Sequence, residues 1–453
     1  MQDKNEQMAI KIAGQVAQSG GRTFYVGGLV RDHLLGIENK DIDIEIHGVP
    51  ADRLKEILSG LGEVTVMGAS FGIFGLRHYE VDIAMPRMES ATGRGHKDFE
   101  IVTDPFLGPE KAALRRDFTM NALMEDVLTG EILDFFGGRK DLAEGVIRHV
   151  NAETFVEDPL RVLRAAQFAA RFGFRIADET IALSKTMDLS ALSMERITGE
   201  LEKALMKAER PSVFFEELRR MEQLHTWFPE MKDLIAVPQP PSHHPEGDVW
   251  NHTMLVLNEA AGLRSAAKEP RYFMYAALVH DFGKPVTTEV IDGKIHSYEH
   301  EKEGLPVVAK FISRLTSETA LAKYVLNMTE LHMKPNILAA QNSGRKSFMK
   351  LFDRSVCPED LLLLAKADYL GRNLICRDYP EENVLREMLA VYNDLMSRPY
   401  VQGRDLVAAG IAPGPLFKEA LDYGHRLRLA GVPKEQALPQ VLALIRAAVR
   451  DPE

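Results

Sequence analysis

The chain changes its hydrophobic rhythm once. Between residues 22 and about 150, short apolar runs of period two alternate with helical stretches. Thr23–Val26, Ile42–Ile46, Val64–Val66, Ile73–Leu76 and Val81–Ala84 read as strands. In Asp41-Ile-Asp-Ile-Glu-Ile, acid and isoleucine alternate, which sends the acids to one face of a strand and the isoleucines to the other. Residues 88–110 hold several Gly and Pro and no period, so a mobile loop is expected there. From Pro159 onward the pattern is helical almost throughout. The exception is a short ribbon around Val286–His296, where Asp292-Gly293 is a hairpin turn signal. Pro238-Gln-Pro-Pro-Ser-His-His-Pro245 reads as a linker, and a further shift comes near Pro399. The expected class is α+β, a small mixed-sheet head followed by an all-helical remainder.

Composition narrows the setting. The 453 residues suffice for two to four domains. The 45% hydrophobic and 27% charged content is that of a soluble globular protein. No window reaches ~18 uninterrupted apolar residues, so no membrane span is expected. Met1-Gln-Asp-Lys-Asn-Glu6 has no signal-peptide pattern. Cys357 and Cys376 are the only cysteines, which argues against a disulfide scaffold and a cysteine zinc site. A cytoplasmic location is expected. The net charge of -11 does not advertise a nucleic-acid binder, but binding needs a local basic face and not a basic total.

Chemistry concentrates at four places. The first is Gly27-Gly28-Leu-Val-Arg31-Asp32, followed by Asp41-Ile-Asp43. Glycine lets backbone N–H groups approach a polyphosphate, and two carboxylates on one strand face can hold divalent cations. Separately these are a turn and a wet sheet edge; together they are parts for two-metal nucleotidyl transfer. Asp82 or Glu80, on another strand face, can supply a third acid. The second place is Arg115-Arg116-Asp117-Phe-Thr-Met-Asn121-Ala-Leu. Clustered arginines suit triphosphate oxygens, and Asp117 can accept from a ribose hydroxyl. The third is Glu157-Asp158-Pro159-Leu160-Arg161, which reads as a helix start with Asp158 as cap and Pro159 at the first helical position. The plain reading is a cap with an ion pair. The sharper one is a protein template for a base. Cytosine and adenine both present an exocyclic amino donor beside a ring acceptor, and an Asp acceptor beside an Arg donor matches that edge. Guanine and uracil invert the order, and each unpaired buried group costs roughly 1–3 kcal/mol. The fourth is His252, His280-Asp281 and Asp368, which from separate helices can bind one divalent ion, with His300 and His332 extending or serving the site.

The first three motifs, with Arg164 completing Glu157-Asp158-Pro-Leu-Arg161-Val-Leu-Arg164, resemble in order and spacing the class II tRNA nucleotidyltransferases. These are the CCA-adding enzymes of the polymerase-β-like superfamily. The resemblance implies addition of C, C and A to the tRNA 3′ end from CTP and ATP, with tRNA as partner. It implies Mg²⁺ on Asp41 and Asp43. It favours Asp82 over Glu80 as the third acid, because the family pattern places an acid five residues before an arginine, here Arg87. Gly28, Arg31, Arg87, Arg116, Asp117, Asn121, Asp158, Arg161 and Arg164 become the nucleotide-binding candidates. Bacterial poly(A) polymerases share the head, but the basic segment expected there is not found in residues 64–76. Enzymes adding only A or only CC share most of these motifs and stay open as alternatives.

The ordered set His252, His280-Asp281, His300, His332 and Asp368 resembles the HD phosphohydrolase superfamily, as fused to some bacterial CCA-adding enzymes. It implies a metal-dependent phosphodiesterase or phosphatase, on Mg²⁺ or a transition metal, with Lys284, His300 and His332 as catalytic candidates. This hydrolase as the main activity is the remaining alternative. The implied layout is a nucleotidyltransferase head over 1–150, a neck and body over 151–237, an HD domain over 238–370 and a helical tail over 371–453. Arg426, Arg428 and Lys434 of the tail are candidates for tRNA contact, against the simpler reading as surface cations. The sequence does not set the oligomeric state.

Overall fold

A computed structural model describes residues 4–66, 73–91, 99–372 and 378–450. The chain divides into two compact units, Met1–Lys232 and Asp233–Glu453. The first opens with helix α1 (Lys4–Gln18), strand β1 (Arg22–Val26), helix α2 (Gly28–Leu34), strand β2 (Ile42–His47) and helix α3 (Ala51–Leu61). Strands β3 (Val64–Val66), β4 (Ile73–Leu76) and β5 (Val81–Ala84) follow. After them come β6 (Arg87–Ala91), β7 (Phe99–Thr103), helix α4 (Pro109–Leu114), β8 (Met124–Asp126) and β9 (Ile132–Leu133). Seven strands form one sheet in the order β3-β4-β5-β2-β1-β8-β9. The β2–β5 pair is parallel and its neighbours are antiparallel, so the sheet is mixed, as the sequence predicts.

Period two does its work in β2. Ile42, Ile44 and Ile46 are buried, while Asp43 faces outward. The isoleucines join Ile12 and Val16 of α1, Leu54 and Leu58 of α3 and Ile83 of β5 in one core. Burying each such side chain is worth about 1.5–3 kcal/mol, which fixes the register. Register then decides chemistry: Asp43 stands directly opposite Asp82 across the parallel ladder.

Residues 88–110 do not form one loop. Arg87–Ala91 and Phe99–Thr103 pair as an antiparallel ribbon, and α4 begins at Pro109. Residues 92–98, like Cys376, lie outside the described residues. The helical part also keeps a strand the sequence reading lacks. Val146–Ile147 (β10) pairs in parallel with Arg175–Ile176 (β11), two residues each and too short to show a period.

Helix α5 (Leu160–Phe172) and helix α6 (Met194–Lys207) complete the first unit's functional side. The second unit is built on α7 (Val249–Leu263), α8 (Pro270–Val279), α9 (Thr319–Leu331) and α10 (Pro358–Leu370). The expected ribbon is present as β12 (Thr288–Ile291) and β13 (Lys294–Ser297), joined at Asp292-Gly293. The segment read as a linker belongs to this unit, with Gln239 buried. In the tail, Arg428 donates to the carbonyls of Leu395, Met396 and Arg398, and Lys434 pairs with Asp405. Arg426 lies 5.7 Å from the Tyr423 ring. No described helix is long and apolar enough to cross a membrane.

Candidate active sites

A cavity of about 1090 Å³ opens in the first unit. Gly27, Gly28, Asp41, Asp43, Arg116, Asp158 and Arg161 all line it, so three motifs far apart in sequence meet in one space. Gly27 has φ of 70°, a conformation that favours glycine, and it turns the chain from β1 into α2. Asp41 sits just before β2, with its N–H donating to Asn39 at 3.0 Å. Asp43 holds its proton above the ordinary carboxyl range. Burial is the largest cause and the Asp82 charge the next; Arg116 pulls the other way. Asp82 is exposed on the same sheet face and is not part of the cavity wall. Three acids on adjoining strands, one of them resisting ionisation, fit a divalent cation.

Several predicted nucleotide ligands turn out to brace one another. Arg31 is buried and donates to Asp32 and to Asn121, each at 2.7 Å, and its guanidinium lies 4.7 Å from the Phe172 ring. Asn121 in turn donates to Asp117 at 3.0 Å. Asp117 also accepts from the Phe118 N–H and from Arg164 Nε, and Arg164 Nη2 forms an ion pair with the same oxygen at 2.6 Å. Burial alone would raise its pKa, but Arg164 and Asn121 outweigh burial and hold it below the usual range. A carboxylate has about four lone-pair positions. Three are hydrogen-bonded and the Arg164 ion pair stands against the second oxygen, so Asp117 serves the brace in this arrangement. Arg116 donates to buried Glu45 at 3.2 Å and still lines the cavity, as does Arg87.

The Asp158 motif differs from its expected form. Helix α5 starts at Leu160 with Pro159 at the cap, one residue later than the sequence suggests, although Leu160 N–H still donates to Asp158 at 3.1 Å. Arg161 does not pair with Asp158. It donates to the carbonyls of Thr154 and Arg115, each at 2.6 Å. Asp158 pairs instead with Arg196 of α6, at 2.9 Å to both oxygens. Arg196 was not legible as a partner. Arg171, Lys203 and Lys207, which also line the cavity, were missed too, although spacing marks them: Arg164 and Arg171 lie seven apart, Lys203 and Lys207 four, each pair on one helix face.

The second unit gathers His252, His280, Asp281, His300, His332 and Asp368, all buried. Asp281 Oδ2 lies 3.3 Å from His280 Nε2 and 3.7 Å from His252 Nε2. Asp281 Oδ1 lies 3.3 Å from His300 Nε2 and 3.8 Å from His332 Nε2. His252 Nε2 is 3.0 Å from Asp368. The Nδ1 atoms of His280, His300 and His332 face the carbonyls of Ala277, Ser297 and Thr329 at 2.9, 3.0 and 2.7 Å. A carbonyl only accepts, so each Nδ1 carries a proton and each Nε2 points toward Asp281, where a neutral ring offers a lone pair. His280 Nε2, both Asp281 oxygens and Asp368 Oδ2 are buried without hydrogen bonds. Lys284 Nζ stands 2.7 Å from Asp281 Oδ2, an ion pair without hydrogen-bond geometry, and donates to Gln239 at 2.6 Å. Lone pairs aimed inward from buried orphaned atoms fit a divalent cation.

Charge follows the same logic. Burial opposes the ionised Asp281, but Lys284 and His280 hold it well below the usual range; Arg372 and His252 do so for Asp368. Burial, then His300 and His280, push His332 down to about 4, so it is neutral and free to ligate. Glu246 accepts from both His244 and His252 at 2.8 Å, a support the sequence reading missed; an acid six residues before His252 carries no periodic signal. Asp281 belongs to two groups of close ligand atoms, one with His252 and His280, the other with His300 and His332.

Three family profiles match parts of this chain. Residues 23–148 match the profile of the Poly A polymerase head domain, 173–235 that of the probable RNA and SrmB-binding site of polymerase A, and 249–373 that of the HD domain. The multifunctional CCA protein of Nitrosococcus oceani is 37% identical over 401 residues, 86% of this chain and 93% of that protein. That of Thioalkalivibrio sulfidiphilus is 35% identical over 438 residues, 93% of this chain and 99% of that protein. The fold is similar to that of the Thermotoga maritima CCA-adding enzyme complexed with tRNA, with a TM-score of 0.66 at 22% identity over 98% of this chain and 96% of that one.

Proposed function

This chain belongs to the family of the multifunctional CCA proteins, and from that premise we propose that its first unit adds C, C and A to the 3′ end of tRNA from CTP and ATP, with no nucleic-acid template. One observation carries the reading. The acids Asp41 and Asp43, the cation Arg116 and the pair Asp158 and Arg161 line one cavity large enough for a nucleotide and a primer end. Asp41, Asp43 and Asp82 are the residues to hold Mg²⁺, which when bound neutralises triphosphate charge and activates the terminal 3′-OH. Gly27 and Gly28 leave backbone room at the polyphosphate. Arg116, held by Glu45, and Arg87 face its oxygens. Arg31, Asn121, Asp117 and Arg164 form the brace that fixes Arg161 and its helix. Asp158 accepts from the exocyclic amino group of C or A, and Arg161 donates to the ring nitrogen beside it. The terminal 3′ oxygen bonds to the α-phosphorus, the α–β bridge bond breaks and pyrophosphate leaves. Substrates of this kind place the protein in the cytoplasm.

We further propose that the second unit is a metal-dependent phosphohydrolase acting on phosphate esters at RNA ends. His252, His280, Asp281 and Asp368 would hold one divalent ion, Mg²⁺ or a transition metal. Because Asp281 is shared, His300 and His332 offer ligands for a second. Lys284 is placed to meet phosphate charge.

The test is an incubation of tRNA ending at the discriminator base with each labelled NTP. C, C and A incorporated in order support the proposal. Incorporation of A alone or of C alone would move the chain to an A-adding or CC-adding activity, and no incorporation would refute the first-unit reading. Asp158→Ala and Arg161→Ala are expected to raise UTP and GTP relative to CTP and ATP. An unchanged CTP-to-UTP preference in both variants would mean that the base is read elsewhere.

A further inference from the structure

We propose that Arg196 is a specificity-determining positioning residue that sets which nucleotide Asp158 accepts. The inference rests on the reading of Asp158 as the acceptor for the incoming base, and it concerns what keeps that acceptor in place.

Asp158 lines the cavity and Arg196 does not, so the guanidinium reaches the carboxylate from behind the wall. It comes from the first turn of α6, 38 residues along the chain. One of its nitrogens, Nη2, lies 2.9 Å from Oδ1 and 2.9 Å from Oδ2. The N–H of Leu160 adds a third contact, at 3.1 Å to Oδ1. Of about four lone-pair positions on a carboxylate, these contacts take three, two on Oδ1 and one on Oδ2. One acceptor position on Oδ2 is left. Arg161 is pinned in a parallel way, by the carbonyls of Thr154 and Arg115. Both groups of the base template are therefore oriented before any base arrives.

The consequence is selective. A pinned carboxylate with one open lone pair takes one donor, which the amino group of cytosine or adenine supplies. The carbonyl oxygen of uracil or guanine in the same place sets acceptor against acceptor. Without Arg196, Asp158 keeps only the contact to Leu160, so its carboxylate turns about χ2 and takes up water. A hydrated, turning carboxylate tolerates a uracil carbonyl nearby through a bridging water. The Arg196–Asp158 pair is partly exposed, with 19% and 30% of the side chains accessible, so its role in fixing geometry outweighs its contribution to stability.

The experiment is single-nucleotide incorporation of CTP and UTP into tRNA ending at the discriminator base, by the full chain and its Arg196→Ala, Arg196→Lys and Asp158→Ala variants. The expected result for Arg196→Ala is a fall of about tenfold in the CTP-to-UTP ratio of kcat/KM, the weight of one charge-assisted hydrogen bond. Arg196→Lys keeps the charge and one nitrogen donor, but on a shorter, freely rotating stem, and is expected to recover part of the ratio. Should Arg196→Ala unfold, Arg196→Lys alone carries the test, since its ratio must then fall between wild type and Asp158→Ala. A residue that merely anchors α6 would lower kcat for both nucleotides equally, and an unchanged ratio in both Arg196 variants overturns the proposal. A raised ratio overturns it as well, because Arg196 would then compete with the base and not prepare for it. If Asp158→Ala relaxes the ratio while the Arg196 variants keep it, the positioning role fails and the template stands. If Asp158→Ala keeps the ratio, the template itself fails.

Discussion

Asp82→Asn should make the metal-free protein more stable while abolishing nucleotide addition. Asp43 and Asp82 face each other across the parallel β2–β5 ladder. Neighbouring strands lie about 4.8 Å apart. Two unit charges at ~5 Å repel by ~0.8 kcal/mol in bulk water and ~3 kcal/mol at an effective dielectric of 20. Both side chains reach solvent, although the Asp43 carboxylate is recessed in the cavity wall, so screening favours the lower end, about 1 kcal/mol. The sign follows from Asp43, whose pKa is raised by burial first and by Asp82 second. A carboxyl with a raised folded pKa binds its proton more readily when folded. Its contribution to stability is therefore full below the unfolded value and is lost as pH rises through the folded one. The penalty grows as pH rises through the folded value, and Asp82→Asn relieves the Asp82 share of it. The gain should shrink as pH falls toward the unfolded carboxyl value of about 4. Mg²⁺ reverses the ranking. A ligand present at 100 times its Kd stabilises by about 2.7 kcal/mol, and the variant that has lost a ligand should gain less. Unfolding in urea can be followed through Trp227, which donates to the Leu189 carbonyl in the first unit, after Trp250→Phe silences the second tryptophan. A metal-free Asp82→Asn that is no more stable than its parent, or that Mg²⁺ stabilises equally, would show that the three acids do not form one cation site.

Two further outcomes concern the second unit. Asp281→Asn keeps the shape but removes the charge both ligand groups share, so bound divalent metal and phosphohydrolase activity should fall together while CTP incorporation stays at the parental rate; metal analysis of the purified protein with a phosphodiesterase assay checks this, and a parental metal content would exclude Asp281 as a ligand. Gly283→Ala would drive a methyl group into the His300 carbonyl, which accepts from Gly304 N–H at 3.0 Å. Relief requires the His300 backbone to move, at a cost of about 1–3 kcal/mol, and should lower metal content without touching a ligand side chain; parental metal content and melting temperature would refute the close packing.

The sheet was legible because burial on one face imposes period two. Val64–Val66, Ile73–Leu76 and Val81–Ala84 are strands over the residues their pattern marks. Strands β10 and β11 were not, since two residues carry no period and their pairing is set by distant packing. The β6–β7 ribbon hid for a related reason: its stretch shows no alternation to read. At the sites, residue types with few plain uses were legible, among them Asp41, Asp43 and His280-Asp281. Partnership was not. Sequence proximity suggested Arg161 for Asp158, yet helix geometry sends Arg161 to two carbonyls and brings Arg196 from another helix. Nor does a motif say whether its polar group faces ligand or neighbour, as Asp117 and Arg31 illustrate.

The two acid clusters solve the problem of holding a cation in opposite ways. Asp41, Asp43 and Asp82 are exposed, so water solvates their repulsion when no ion is bound and an ion exchanges freely. That suits an ion that arrives and leaves with each nucleotide. Asp281 and Asp368 are 1% and 3% exposed, with imidazole tautomers already set by backbone carbonyls. An ion there meets prepared lone pairs, and its departure leaves four buried polar atoms without hydrogen bonds. Each such atom costs roughly 1–3 kcal/mol when unsatisfied, so loss of metal is opposed by the fold itself. On the proposed reading, the contrast matches an exchangeable ion in the first unit and a resident one in the second. It also explains why the second site needs Lys284 and Arg372 beside its acids, whereas the first leaves charge compensation to solvent, to Arg116 and to the incoming nucleotide's metal.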